Sequence, residues 1–315
     1  MDRVEGFAAR KASAAQAPRS RQRGAALILV IWVIAFMGVL LGSFSLIART
    51  ENLQSRHLFD ATTARYAAEA GLERAIFEVQ NRDMTKRWVG DGRPYDFDFD
   101  TAHVRVELTD ESGKIDINTS EDVLLQNLFT SIGIDPARAT ALADALQDFR
   151  DQDDIPRPQG AEADAYKSQG LAYGPRNQPF TSVAEVQQVL GMDYELYRKI
   201  EPAITIFASA PKPNPAYAPL EVLMTFPGMT LELAQQIIAA RQQMQPGQPS
   251  AQPLTLPDGT PIVANGGGNT YTIKSRATLA NGASAVLDAS IRLGGVAAGG
   301  RPYAVLRWRD DEASQ

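Results

Sequence analysis

Seven carboxylates, Asp144, Asp148, Asp151, Asp153, Asp154, Glu162 and Asp164, fall within 21 residues, opposed there only by Arg150 and Arg157. Such a density repels itself unless a cation sits among the oxygens. Hard oxygen donors without a histidine nearby favour calcium or magnesium. A flexible loop favours calcium, which takes about six to eight ligands. The run Asp151-Gln152-Asp153-Asp154-Ile155-Pro156 is not an EF-hand, because its sixth position holds Pro156 where that loop needs a turn glycine. A solvated acidic face explains the same composition, and the residues alone leave both readings open. Paired carboxylates also serve glycosidases, but there they flank a cleft with aromatic walls at a separation of about 5–10 Å. Here they crowd one loop with only Phe149, Tyr166 and Tyr173 nearby.

The remaining chemistry is bounded by what the 315 residues contain. There is no cysteine, and His57 and His103 are the only histidines. Disulfides, thiolate zinc sites, iron–sulfur clusters, Cys–His nucleophiles and multi-histidine metal sites are thereby excluded, and a Ser-His-Asp site has two histidines to draw on. No Gly-x-Ser-x-Gly, Walker or dinucleotide-binding sequence occurs. The reading is a non-enzyme. The net charge of −6 hides a split: residues 1–24 carry +4 and the rest carries −10. An acidic body disfavours a nucleic-acid partner.

The elements that position the loop begin with Ala25–Ile47, 23 residues without a charge. As a helix this run is roughly 35 Å long, enough to cross a bilayer core. It is too long for a secretory signal peptide, whose apolar region is about 7–15 residues. The basic leader ahead of it predicts one span with the N-terminus in the cytoplasm. Gly38 and Gly42, four apart on one face, suit close helix packing in the membrane. Beyond Thr50 the helix continues to about Arg82, and Leu58, Ala61, Ala64, Ala68, Leu72, Ala75 and Val79 predict one small-residue stripe against a sheet. Turn residues Asp91-Gly92-Arg93-Pro94 precede an alternating strand, His103–Leu108. Residues 120–205 read as mostly helical, broken at 150–180, and residues 243–268 read as a long flexible loop rich in Gln, Pro and Gly. Tyr271–Leu279 and Ala283–Leu293 flank the hairpin signal Asn281-Gly282, and Tyr303–Trp308 is a third strand.

Three phrases carry a family resemblance. The junction Arg21-Gln22-Arg23-Gly24-Ala25-Ala26-Leu27 resembles the signal of type IV pilins and type II secretion pseudopilins, which prepilin peptidase cleaves after the glycine. Ala64–Gly71 and Asp110–Thr119 are similar to phrases of the K-type minor pseudopilins of type II secretion. The fold this implies is α+β: a pilin-like N-terminal helix, transmembrane then amphipathic, packed on an antiparallel sheet, with a large inserted α-helical domain. The implied division is 1–24 cytoplasmic leader, 25–48 membrane half of the helix, 49–118 periplasmic helix and first strands, 119–208 inserted domain with the acidic loop, 209–268 third helical repeat and flexible loop, and 269–315 C-terminal strands. Most of the family has glutamate as fifth mature residue, where this chain has Leu29. A carboxylate in lipid is kept only with a partner, so its absence suits a subunit with no neighbour ahead.

The resemblance also implies that the acidic loop is the family's calcium loop, with phenylalanine at Phe149 where tryptophan is usual. Carried over residue by residue, the metal role falls on Asp151, Asp153, Asp154 and Glu162, and further on Asp148 and Asn177. Implied partners are minor pseudopilins I and J, with H, and prepilin peptidase, at the bacterial inner membrane with the bulk of the chain periplasmic. A minor type IV pilin priming a surface pilus shares the leader and helix and is the alternative. Three repeats, around Gly133, Gly191 and Gly228, resemble helix-hairpin-helix or SAM-like units, a motif often used on DNA backbones. Its second glycine is here Asp135, Asp193 and Thr230. A carboxylate where phosphate would sit is better read as a helix N-cap, so these repeats are expected to be scaffold.

Overall fold

The computed structural model describes residues 23–245, 253–264, 267–294 and 301–311. Most of the basic leader, residues 1–22, and the loop segments 246–252 and 265–266 lie outside the described residues. The first helix, α1 (Arg23–Val79), is one helix long and apolar enough to cross a membrane. The chain forms two compact units, Met1–Leu58 and Phe59–Gln315. In the second unit, Ala64, Ala68, Leu72, Ala75 and Val79 are buried as their three- and four-residue spacing dictates. The stripe starts later than the sequence suggests, because Leu58 is 69% exposed and Ala61 is exposed too.

The stripe packs on a five-stranded antiparallel sheet of β1 (Asp91–Phe99), β2 (Ala102–Asp110), β5 (Thr270–Leu279), β6 (Ser284–Leu293) and β7 (Tyr303–Asp311), side by side in that order. Period-two alternation puts Ala102, Val104, Val106 and Leu108 of β2 toward α1. Gly71 is the closest approach: a Cβ there would stand 2.7 Å from Val104 Cγ1 and nearer still to Ser275 Oγ. Asp91–Pro94 is the start of β1 and not a free turn. The register slips between Asp91 and Pro94, Gly92 takes φ +81°, and an edge strand tolerates the missing proline N–H. Arg93 then grips Asp91 with two nitrogens and donates to the carbonyl of Met244 at 2.9 Å, fastening this edge to the chain after the last helix. The β5–β6 turn is closed by Leu279 and Ala283 around Gly282 at φ +89°.

Between β2 and β5 lies the helical part. It comprises α2 (Asp122–Ser131), α3 (Pro136–Arg150), α4 (Ala163–Ser168), α5 (Tyr194–Ile200), α6 (Leu220–Leu223) and α7 (Leu231–Gln243). A small parallel pair, β3 (Ile115–Asp116) with β4 (Ile204–Thr205), closes its base. All three repeats share one core, which runs from Ile115 through Phe129, Phe149 and Ile200 to Ile237. The stretch read as a flexible loop is ordered at 253–264. Leu256 is buried, and Leu256 and Ile262 donate backbone bonds to Thr260 and Leu254 in a small hairpin. Burial of single leucines outweighs a composition that otherwise reads as loop.

The phrase Asp110–Thr119 is the crossing from sheet to helical part, and its polar residues hold the crossing together. Asp116 accepts from the backbone of Asn118 (2.9 Å) and Ser209 (2.7 Å). Asn118 exchanges two bonds with the backbone of Phe180, at 3.0 and 2.8 Å. Buried Glu111 accepts from Lys114 Nζ at 2.7 Å and from the Thr205 hydroxyl.

Candidate metal site

Helix α3 ends at Arg150, so its last turn carries Asp148 inward and hands the chain to the acidic loop at Asp151. Phe149, facing the core between them, stacks on Phe180 with ring centroids 5.0 Å apart, which fixes the loop's root. The loop's far end returns through Asn177, whose backbone N–H donates to the Phe149 carbonyl at 3.0 Å and whose φ is +53°. The Asn177 amide nitrogen donates to Asp153 O (3.0 Å) and Asp154 Oδ1 (2.8 Å). Phe149 and Asn177 are thus brought together from 28 positions apart in the sequence.

The electrostatics of this loop are those of a site short of positive charge. Glu162 is pushed up to about 7, first by burial and then by Asp148, Asp151, Asp154 and Asp153. Burial also raises Asp151, with Asp153 adding to it, and raises Asp148. Buried oxygens are normally hydrogen-bonded. Yet Asp151 Oδ1, both Glu162 oxygens and Asn177 Oδ1 have no hydrogen-bond partner, four of the ten such buried atoms among the described residues. Glu162 stands at the N-cap of α4 but does not cap it. These are hard oxygen donors, the kind an oxygen-loving divalent cation takes. Among the described residues no three His, Cys, Asp or Glu side chains are drawn together closely enough to hold a metal ion.

The six candidate residues are not equivalent. Asp148 is fully buried, accepts from the Arg157 backbone N–H at 3.2 Å, and lies 3.5 Å from the Arg157 guanidinium. It has the least capacity left for a metal and acts as a strut. Asp153 Oδ1 accepts from the Ile155 N–H at 2.9 Å and keeps its other oxygen. Two further residues shape the site through contacts across the fold. Arg157 bridges Asp148 and Asp122, at 3.5 and 3.0 Å. Gly160 is needed because a Cβ there would meet the Asp148 carboxylate, 2.7 Å from Cγ. The loop's glycine is visible in the sequence; its neighbour across the fold is not. Of the other candidate residues, Gly24 and Ala25 lie in the first turn of α1. A Cβ on Gly38 or Gly42 would meet nothing within 4 Å.

The three hairpins turn at Gly133, Gly191 and Gly228, with φ of +89°, +86° and +76°. Asp135 accepts from Ala137 N, Asp193 from Leu196 N and Thr230 from Leu233 N. Each side chain therefore caps the helix that follows, as expected, and occupies the amides a phosphate would use.

Residues 106–209 match the family model described as type II secretion system protein K. Type II secretion system protein K of Klebsiella pneumoniae is 28% identical over 250 residues, covering 70% of this chain and 76% of that one. The same protein of Pectobacterium carotovorum is 27% identical over 258 residues, 72% and 77% of the two chains. That of Dickeya chrysanthemi is 32% identical over 136 residues, 40% of this chain and 37% of that one. A chain in the crystal structure of the GspK-GspI-GspJ complex from enterotoxigenic Escherichia coli aligns with a TM-score of 0.54 at 19% identity, covering 84% of this chain and 99% of that chain, a likeness of fold. A pilin-type helix and sheet interrupted by one helical insertion, together with these matches, make the chain similar to type II secretion system protein K in sequence and in fold.

Proposed function

We propose that this chain, a minor pseudopilin of the type II secretion system, caps the tip of the pseudopilus with minor pseudopilins I and J, next to H, and helps start its assembly. It is read as a structural part and not an enzyme. The observation that carries the reading is the helical part between β2 and β5, about 160 residues of added bulk on one sheet. A subunit inside a filament has neighbours along its helix on every side, whereas a tip subunit has one free end. The presence of Leu29 where the family usually has glutamate supports the same place. The structural relative is one chain of a complex with GspI and GspJ, which supports the choice of partners.

The junction at Gly24 supports cleavage by prepilin peptidase before Ala25 and methylation of the new amine, with α1 anchored in the inner membrane and the bulk of the chain in the periplasm. The acidic loop is read as a calcium site held by Asp151, Asp153, Asp154, Glu162 and Asn177, with Asp148 beside them. Bound calcium supplies the positive charge that cancels the repulsion among these groups. The test is co-expression of the full chain with I, J and the peptidase, extraction in mild detergent and native mass measurement. A 1:1:1 assembly whose copy of this chain begins at Ala25 is the expected result. Homopolymers of this chain, or no association with I or J, overturn the tip assignment.

A further inference from the structure

A cleft of about 580 Å³ separates the helical part from the face of the sheet that α1 does not cover. That volume lies in the range of ligand sites, about 300–1,000 Å³. Its floor is set by strand alternation: Ile273, Leu287, Ala289 and Ile291 face the core under α1, so Lys274, Asp288 and Arg307 face the cleft. Its facing wall is mixed: Val183, Ile206 and Phe207 form an apolar patch beside Glu111, Lys114 and Glu201.

The cleft carries four cations, Lys114, Lys274, Arg307 and Arg309, against three carboxylates, Glu111, Glu201 and Asp288. Asp288, nine-tenths buried, is the carboxylate shared by two guanidiniums, Arg307 Nη2 at 2.8 Å and Arg309 Nη2 at 3.2 Å. Arg307 Nε is buried and has no hydrogen-bond partner. Lys274 sits beside Asp288 in the β5–β6 register but makes no ion pair among the described residues. The hydroxyls of Thr272 and Ser290, 2.8 Å apart, lie next to them on the same floor. Arg307 Nε is thus a buried cationic donor left without a partner in the cleft, with exposed Lys274 beside it. Donors of this kind recognise a carboxylate, and charge-assisted bonds are the stronger ones. The apolar patch of Val183, Ile206 and Phe207 opposite would take the apolar group next to that carboxylate.

We infer that this cleft is a binding site for a peptide carboxylate flanked by an apolar side chain, held by Arg307 Nε and Lys274 on the sheet. The carboxylate is either a chain terminus or an acidic side chain, which share this chemistry. The site is independent of the acidic loop and of the tip assignment.

The test uses the full chain in dodecyl maltoside micelles and saturation-transfer NMR with three probes. These are N-acetyl-Leu-Phe with a free carboxylate, its C-terminal amide, and N-acetyl-Leu-Glu-Leu-amide. At least one carboxylate probe binds, and the dipeptide amide binds about tenfold more weakly than its acid or worse. Binding by the first probe alone identifies a chain terminus, and binding by the third identifies an acidic side chain. Lys274→Gln, which breaks no ion pair, and Arg307→Gln each lower affinity about tenfold, and Arg276→Gln on the same strand outside the cleft does not. Should Arg307→Gln fail to fold, Lys274→Gln still decides. Absence of binding by both carboxylate probes, equal binding of acid and amide, or unchanged affinity in Lys274→Gln overturns the inference.

Discussion

Single atoms decide two outcomes in the pilin-like half of the molecule. Glycine within a helix is ordinarily a defect, and replacing it by alanine gains about 0.5–1 kcal/mol. At Gly71 the sign reverses, because the added methyl would overlap Ser275 Oγ and stand 2.7 Å from Val104. Overpacking of that kind costs about 1–3 kcal/mol, so Gly71→Ala lowers the denaturant midpoint; a raised midpoint would show that α1 can back away from the sheet. Asp110 is the second case. It is buried, its Oδ1 accepts from Ser112 N at 2.9 Å, and its Oδ2 has no partner. Burial holds its carboxyl above the usual carboxylate range. The folded state therefore takes up a proton more readily than the unfolded chain. Its contribution is fully present below the unfolded value, about 3.9, and is lost as pH rises through the higher folded value. Asp110→Asn keeps the acceptor and removes the charge. It should melt higher than the parent at neutral pH, and the two curves should converge toward pH 4. A gap that persists or widens on acidification would refute this account.

At the scale of elements, the acidic loop should depend on a cation for its order. A bound ion stabilises by roughly 2.7 kcal/mol when free metal is about a hundredfold above its dissociation constant. With calcium present the full chain should melt higher than with chelator, and Asp151→Ala with Asp153→Ala should erase the difference. Identical melting curves with and without chelator would leave a solvated acidic face. How far these elements can be read from sequence depends on whether the signal is local. The alternation in β2 and β5 and the Asn281-Gly282 turn are local, and they predict strands within a residue or two of those observed. Strand β1 is masked by Asp91–Pro94, although Tyr95–Phe99 alternates like its neighbour β2. The hairpin at 253–264 is masked by its proline and glycine content, because burial of Leu256 is a tertiary event. The acidic donors are legible as a cluster. Asn177 joins them only through folding, and the cleft floor joins strands to a wall about 90 residues away in sequence.

For the whole molecule, the decisive feature is where the helical part leaves the sheet and where it returns. Asp110 at the end of β2 is the direct partner of Tyr271 at the start of β5. The insertion therefore departs and returns at adjacent positions of neighbouring antiparallel strands, as a hairpin loop would. Its core is its own, running from Ile115 to Ile237, while the core under α1 draws on none of those residues. Replacing residues 112–269 by a two-residue Asn-Gly turn should accordingly leave the five-stranded sheet and α1 able to fold, since the turn suits the twist of adjoining strands. If bulk and the missing carboxylate are what keep this subunit at the tip, removing the bulk and adding Leu29→Glu should let it enter the filament body. The shortened chain with Leu29 intact should gain less, because its membrane helix still offers no carboxylate to a neighbour's amine. Cells overproducing pseudopili that contain each variant would be sheared, and the filaments probed along their length by immunogold labelling. Labelling along the shaft for the shortened Leu29→Glu chain, and at ends alone for the parent, is the expected pattern. A well-folded shortened chain that stays at the ends with glutamate present would mean that something other than bulk and charge fixes its place.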